Sequence, residues 1–152
     1  MRIWIDADAC PRMTKEVVFK TALRLKLPVT LVANSPMAVP RSDRVTLAVV
    51  AQGPDVADRH ILQHAQPRDL VITADIPLAA ELVRRAIVTI DPRGRVYTEA
   101  NVGEALATRD LMQDLRDGGM VGGGPPPLNP RDREQFANAL DRELTRLRRK
   151  HG

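Results

Sequence analysis

Aromatic residues are scarce: Trp4, Tyr97 and two phenylalanines make up 3% of the 152 residues. That is too few for a binder that reads nucleic acid by stacking bases on a platform of rings. Cys10 is the one cysteine, so no intrachain disulfide can form. No apolar run approaches the ~20 residues needed to span a bilayer, so no membrane association is expected. The sequence opens on a strand-like run and not on a basic stretch followed by an apolar one, and the expected location is the cytoplasm. The familiar nucleotide cradles are missing too. There is no GxxxxGK[ST] and no GxGxxG, and Gly122 to Gly124 follow no strand. The arginine that a cysteine phosphatase needs six residues after its nucleophile is absent, Glu16 standing there. His60 and His64 are four apart, but Ile61 occupies the place where a zinc-protease motif has Glu.

What is present suits one soluble-type domain over residues 1–152. Hydrophobic residues are 43% and charged ones 28%, enough for a real core. Lys15, Lys20, Lys26 and Lys150 are the only lysines among 23 basic residues, so 19 are arginine, and the formal net charge is +4 with a pI near 9.8. Arginines around a group of acids suit a polyanionic substrate whose reacting phosphate is neutralised by metal ions.

Taken in order, Ile3-Trp-Ile5 reads as a first strand, and Thr14 to Lys26 as an amphipathic helix with Val17, Val18, Thr21, Ala22 and Leu25 on one side. Val29 to Ala33 is a second strand, and Met37 to Arg44 an irregular loop. Val45 to Ala51 is a third strand, followed by a helix that opens at Gly53-Pro-Asp-Val-Ala-Asp58 and runs to Ala65. Leu70 to Thr73 is a fourth strand. Asp75 is placed to cap a helix with Pro77 in its first turn. Ala86 to Ile90 is a fifth strand, ending at the Asp91-Pro-Arg-Gly94 turn, and Arg95 to Tyr97 suggests a short edge strand. Asn101 is placed to cap a helix reaching Arg116. The alternation predicts an α/β fold: a three-layer α/β/α arrangement around a mainly parallel sheet of about five strands, plus two C-terminal helices. The core is expected over 1–117, a Gly/Pro-rich loop over 118–129 serving as a linker or a flap, and a last helix over 130–149.

The polar residues that follow the predicted strands share one sheet edge: Asp6 and Asp8, then Asn34, then Asp55 and Asp58, then Thr73 and Asp75, then Asp91. Capping and the helix macrodipole explain Asp55 and Asp75 about as well as function does. They do not explain so many carboxylates at one exposed edge, where repulsion costs stability unless cations bind. Carboxylate oxygens suit Mg²⁺ or Mn²⁺, and such an ion beside a phosphodiester activates water. Arg41, Arg44 and Arg93 are candidate phosphate contacts. Asn34 and Thr73 are candidates for orienting water or phosphate. Cys10 is expected to be a packing residue beside the acids.

Asp6-Ala-Asp-Ala-Cys-Pro11, Gly53-x-Asp-x-Ala-Asp58, Val71-Ile-Thr-Ala-Asp-Ile-Pro-Leu-Ala79, Asp91-Pro-Arg-Gly94 and Thr108-Arg-Asp-Leu-Met112 together closely resemble the bacterial YaiI/YqxD family of uncharacterised proteins, over nearly the whole chain. The family looks like a branch of the PIN-like nucleases. That resemblance implies a PIN-like fold and a metal shell of Asp6, Asp58 and Asp75 with Thr73 beside it and Asp91 matching a further acid; Asp8 and the Pro-Arg-rich tail depart from the PIN pattern, and Asp8, like Asp91, is expected as a further or outer ligand. The expected activity is divalent-metal-dependent cleavage of single-stranded RNA. The alternatives are a non-catalytic RNA- or protein-interaction module that kept the fold, and a haloacid dehalogenase-like phosphatase. The phosphatase reading is the weaker of the two, since no matching lysine follows Thr73.

Overall fold

The computed structural model describes residues 1–119 and 126–151, so residues 120–125 of the Gly/Pro-rich linker or flap expected over 118–129 lie outside the described residues. The strands are β1 (Ile3–Asp6), β2 (Val29–Ala33), β3 (Val45–Val49), β4 (Leu70–Ile72), β5 (Val88–Ile90) and β6 (Val96–Tyr97). The helices are α1 (Arg12–Leu25), α2 (Val56–His64), α3 (Ile76–Arg84), α4 (Glu99–Asp117) and α5 (Pro130–His151), with one short 3-10 turn, Ala7–Ala9, after β1. The strands form one sheet in the order β3-β2-β1-β4-β5-β6. It is parallel except for β6, which runs antiparallel to β5 and supplies the short edge strand expected at Arg95 to Tyr97.

β1 sits in the middle because the chain winds outward from it in one direction to β3, then restarts at β4 on its other side. Keeping crossovers right-handed through that reversal requires the helices to change face. They do: α1 packs on one face of the sheet, α2 and α3 on the other. β1 shows the alternation that this demands, with Ile3 and Ile5 buried toward α1 and Trp4 toward α2. No helix joins β2 to β3, and Met37 and Val39 of the connecting loop pack on the α1 side instead. The remaining space on that face is filled by α5. Its Phe136, Leu140, Leu144 and Leu147 recur at three- and four-residue spacing and join the core of Val17, Val18 and Ala22. Each such buried side chain contributes about 1.5–3 kcal/mol. α4 lies outside α3, with Ala105 against Ala79 and Tyr97. The architecture is the expected three-layer α/β/α.

Helix starts differ in detail from expectation. Asp75 does cap α3, accepting from the Leu78 amide at 2.9 Å. Asn101 does not cap α4. Thr98 does, and Asn101 is the third helical residue, its side chain accepting from the Thr98 amide at 2.9 Å in a reciprocal capping box. Asp55 flanks α2 with a φ of 64° and makes no side-chain cap.

Before β4, Asp69 is buried and accepts from the Arg2 amide, the Gln66 amide and Trp4 Nε1 at 2.9 to 3.1 Å. His60 and His64 stack on each other at 4.3 Å beside Trp4. Among the described residues no helix is long and apolar enough to cross a membrane.

The β5–β6 hairpin is fastened to both helices of the α1 face. Thr14 Oγ1 donates to the Pro92 carbonyl at 3.1 Å, and the Arg93 guanidinium donates to Asp132 at 2.8 Å and to the Pro126 carbonyl. The approach of α5 is so close that a Cβ on Gly94 would lie 2.7 Å from the Gln135 carbonyl carbon, and Gly94 holds a φ of 97°. Gly94→Ala therefore combines left-handed strain with a clash against backbone. It should cost about 2–3 kcal/mol, read from the urea midpoint at unchanged slope. A change within about 0.5 kcal/mol would show that the hairpin and α5 are not held together as described.

Candidate active site

In an open parallel sheet a crevice forms beyond the carboxyl ends of the strands where the winding direction reverses. Here that place lies between β1 and β4, and Asp6 and Thr73 stand there side by side. Asp6 ends β1 on the Trp4 face and is only 6% exposed. Thr73 directly follows β4 and is fully buried. Thr73 Oγ1 donates to Asp6 Oδ2 at 2.8 Å and accepts from the Asp75 amide at 3.0 Å. One hydroxyl therefore fixes the Asp6 carboxylate and the entry to α3. The expectation that Asp6 lies exposed at a strand end is corrected: the residue is buried, so its charge meets little water.

Around this pair the structure gathers the other acids. Half-buried Asp58 comes from the first turn of α2 and is pushed up to about 7, first by burial and then by the charges of Asp75, Asp6 and Asp55. Asp6 is raised by burial and by Asp75 and Asp8, against which the Thr73 hydrogen bond works. Asp8 is exposed on the 3-10 turn, and its Oδ2 accepts from the Asn34 amide at 2.8 Å. The Asn34 side chain is turned away, donating to the Ala51 carbonyl at 3.1 Å, so what Asn34 brings to the site is its backbone. Among the described residues no arginine, lysine or histidine pairs with Asp6, Asp8, Asp58 or Asp75, although eight ion pairs form elsewhere.

Four expected members stand differently. Asp91 is raised by burial, but its Oδ1 accepts from the Arg93 and Arg95 amides at 2.9 and 2.8 Å, and it serves the hairpin turn. Arg93 is engaged with Asp132 and Pro126. Arg44 lies at the opposite end of the sheet. It immediately precedes Val45, which pairs with Val29 at the start of β2, and its guanidinium donates to the Lys26 carbonyl at 2.9 Å. Arg41 is exposed just before the Ser42 turn that leads into the same end. Sequence order alone does not separate the two ends of a strand that begins at the close of a long loop. Lys15, in the first turn of α1, contacts Met37 Sδ at 3.7 Å, and its charge opposes the rise of the buried Cys10 thiol to about 12.

The acids fit a hard divalent cation in donor type and charge. The fit goes no further than that, since among the described residues no three His, Cys, Asp or Glu side chains stand close enough to enclose one ion.

Their crowding has a pH signature. Folded, Asp58 keeps its proton up to about pH 7, whereas its ordinary value is 3.8. Between those values the folded state binds more protons than the unfolded one, so stability falls as pH rises, and the loss is complete above about pH 7. Asp6 acts in the same direction. His60 is lowered and acts oppositely, but below its ordinary 6.5. In chelator, Tm should therefore drop between about pH 5 and pH 7, and Asp58→Asn should flatten the drop and raise Tm at pH 8 by a few degrees. A wild-type Tm that climbs over that interval would contradict the electrostatics described here.

A family model described as "Uncharacterized BCR, YaiI/YqxD family" matches residues 4–146. Among curated proteins, a UPF0178 protein of Geobacter metallireducens is 58% identical over 147 residues, covering 97% of this chain and 95% of its own. One from Trichlorobacter lovleyi is 57% identical, covering 98% and 97%. One from Pseudomonas fluorescens is 53% identical, covering 98% and 99%. No solved structure matches the chain.

Proposed function

Since the chain belongs to the YaiI/YqxD family, whose description names no activity, we propose from the site itself that it is a divalent-metal-dependent phosphodiester hydrolase acting on single-stranded RNA. The observation that supports this most is the gathering of Asp6, Asp8, Asp58 and Asp75 at the winding reversal with no paired cation among the described residues. A structural role for buried carboxylates looks different. Asp69 is saturated by three N–H donors, whereas this edge leaves like charges facing one another. The PIN-like resemblance adds to the reading, because its acid positions fall on Asp6, Asp58 and Asp75.

In this reading Asp6, Asp58 and Asp75 would supply carboxylate oxygens to one or two Mg²⁺ or Mn²⁺ ions whose remaining positions are filled by water, with Asp8 alongside. Such an ion, when bound, opposes the phosphate charge and acidifies a bound water. The chain's own residues supply the rest. Thr73 keeps the Asp6 carboxylate in one orientation and the Asn34 amide keeps Asp8 in another, so no reorganisation is needed when phosphate arrives. Lys15, and not Arg41 or Arg44, is the candidate phosphate contact at this edge. Cys10 has no nucleophilic role, since a thiol raised to about 12 is essentially never thiolate at neutral pH.

Asp6→Asn and Asp75→Asn should each lower divalent-dependent cleavage of a fluorogenic RNA by about a hundredfold or more, since even outer-shell partners of a metal cost ~10–100-fold. Both should fold, because Asn still accepts from Thr73 and still caps a helix. Mn²⁺ should raise Tm more at pH 8 than at pH 6, where protons already relieve the repulsion. Equal cleavage by wild type and the Asp6 variant, or none by either in any divalent ion, would put the non-catalytic binding module first.

Cys10→Ser separates this chemistry from thiol catalysis. It should leave cleavage within a few-fold, whereas removal of a nucleophile costs orders of magnitude. Loss of activity with metal binding intact would defeat the hydrolase mechanism described here.

A further inference from the structure

Beside the acids the structure has a cleft of about 580 Å³ that the chemistry above does not use. Ala9 and Ala74 line the side toward the acids, Ala9 being the residue after Asp8 and Ala74 the one between Thr73 and Asp75. Ile76 and Pro92 continue the apolar lining, Tyr97 contributes to it from β6, and Leu128 adds to it from the segment before α5. Its volume lies within the ~300–1,000 Å³ of small-ligand sites, which are also apolar with a few convergent polar groups.

Tyr97 is only 6% exposed, and its hydroxyl has no hydrogen-bond partner among the described residues. No polar side-chain atom described is sealed away without a partner, so this hydroxyl reaches solvent, and the residue lines the cleft. A tyrosine presents an apolar ring with one polar handle, here free to exchange water for a ligand. At the rim the Arg95 guanidinium lies over the Tyr97 ring, 5.6 Å from its centre, and no ion pair holds it among the described residues. Asp91 Oδ1 is taken by two backbone amides, which leaves Oδ2 as an acceptor on the same rim.

We propose that this cleft is a nucleobase subsite, receiving the base next to the phosphate that lies at the acids. The assignment rests on the hydrolase reading for the place of that phosphate. A flat heterocycle with donors and acceptors on its edges is the chemistry that uses all of these features. The alanine, isoleucine and proline surfaces take its faces, the Tyr97 hydroxyl and the free Asp91 oxygen take its edge, and the Arg95 plane stacks at the mouth. An acyl chain would leave the tyrosine hydroxyl and the carboxylate oxygen unpaired. The cleft also answers the scarcity of aromatics, since one base held in a pocket needs no platform of rings.

The test is binding without turnover. Metal-free protein is titrated with adenosine, guanosine, cytidine and uridine, with their 5′-monophosphates and with ribose 5-phosphate, using saturation-transfer NMR and calorimetry. At least one nucleoside should bind through its base protons. Tyr97→Phe, which removes only the unpartnered hydroxyl, should weaken that nucleoside roughly three- to tenfold and leave ribose 5-phosphate unchanged. Ala74→Leu fills the cleft from an exposed position and should abolish nucleoside binding with Tm unaltered. If no nucleoside binds better than ribose 5-phosphate, or if Ala74→Leu binds like wild type, the subsite is wrong. If nucleosides bind in a Tyr97-dependent way while wild-type protein cleaves no RNA, the subsite stands and the hydrolase reading alone falls.

Discussion

The hydrogen bond from Thr73 Oγ1 to Asp6 Oδ2 joins the ends of the two strands between which the winding of the whole sheet reverses. α1 leaves this point over one face and α3 over the other, so no backbone crosses it and a crevice is left open. The same hydroxyl accepts from the Asp75 amide, and Asp75 in turn caps α3 through Leu78. A hydrogen bond to a charged group is worth about 1.5–3 kcal/mol, and here it offsets part of the cost of burying Asp6. The position of every other acid follows from this arrangement. Asp8 is carried out on the 3-10 turn that must follow β1, and Asp58 is brought over by the helix that crosses from β3.

The electrostatics of the chain are uneven in a way that its net charge conceals. Eight ion pairs use arginines almost entirely on helix surfaces or at α5, as in Arg24 with Asp141 and Arg146 with Glu143. Surface pairs of this kind contribute little to stability. None is spent on the winding reversal, where relief would be largest. Asp69, at the other end of β4, shows that the chain can neutralise a buried carboxylate fully with three N–H donors. Two buried aspartates in one sheet therefore stand in opposite surroundings, Asp69 saturated by N–H donors and Asp6 facing its own kind.

The strand and helix alternation was legible because apolar runs such as Leu70-Val-Ile72 and the spaced valines of α1 report period directly. The shared edge of the acids was legible for the same reason, since in a parallel sheet everything that follows a strand lies at one end. What could not be read depended on contacts between distant segments. Arg44 looked close to Asn34 in sequence, yet the 34–44 loop travels the full length of the sheet before β3 begins. Arg93 and Asp91 looked available, but α5, arriving from forty residues away, engages Arg93, while the hairpin's own amides occupy one oxygen of Asp91. Tyr97 carried no motif at all. Its importance comes from being buried at a sheet edge with its hydroxyl left over, which only packing decides.

That edge is unusually fixed for a two-stranded turn. An isolated hairpin is marginal in water, and β6 has two residues. Thr14 holds Pro92 from α1, Asp132 holds Arg93 from α5, and Gly94 lets the α5 backbone approach to a distance that a methyl group would not tolerate. Three fastenings from two helices are more than a connecting turn requires, whereas a wall that must keep Tyr97 and Arg95 at set positions against the β1 and β4 ends requires them. Sites built on rigid elements hold their geometry better than sites on free loops. The position of α5 on the α1 face therefore reaches past core formation: by clamping the hairpin, it fixes the distance between the cleft and the acids.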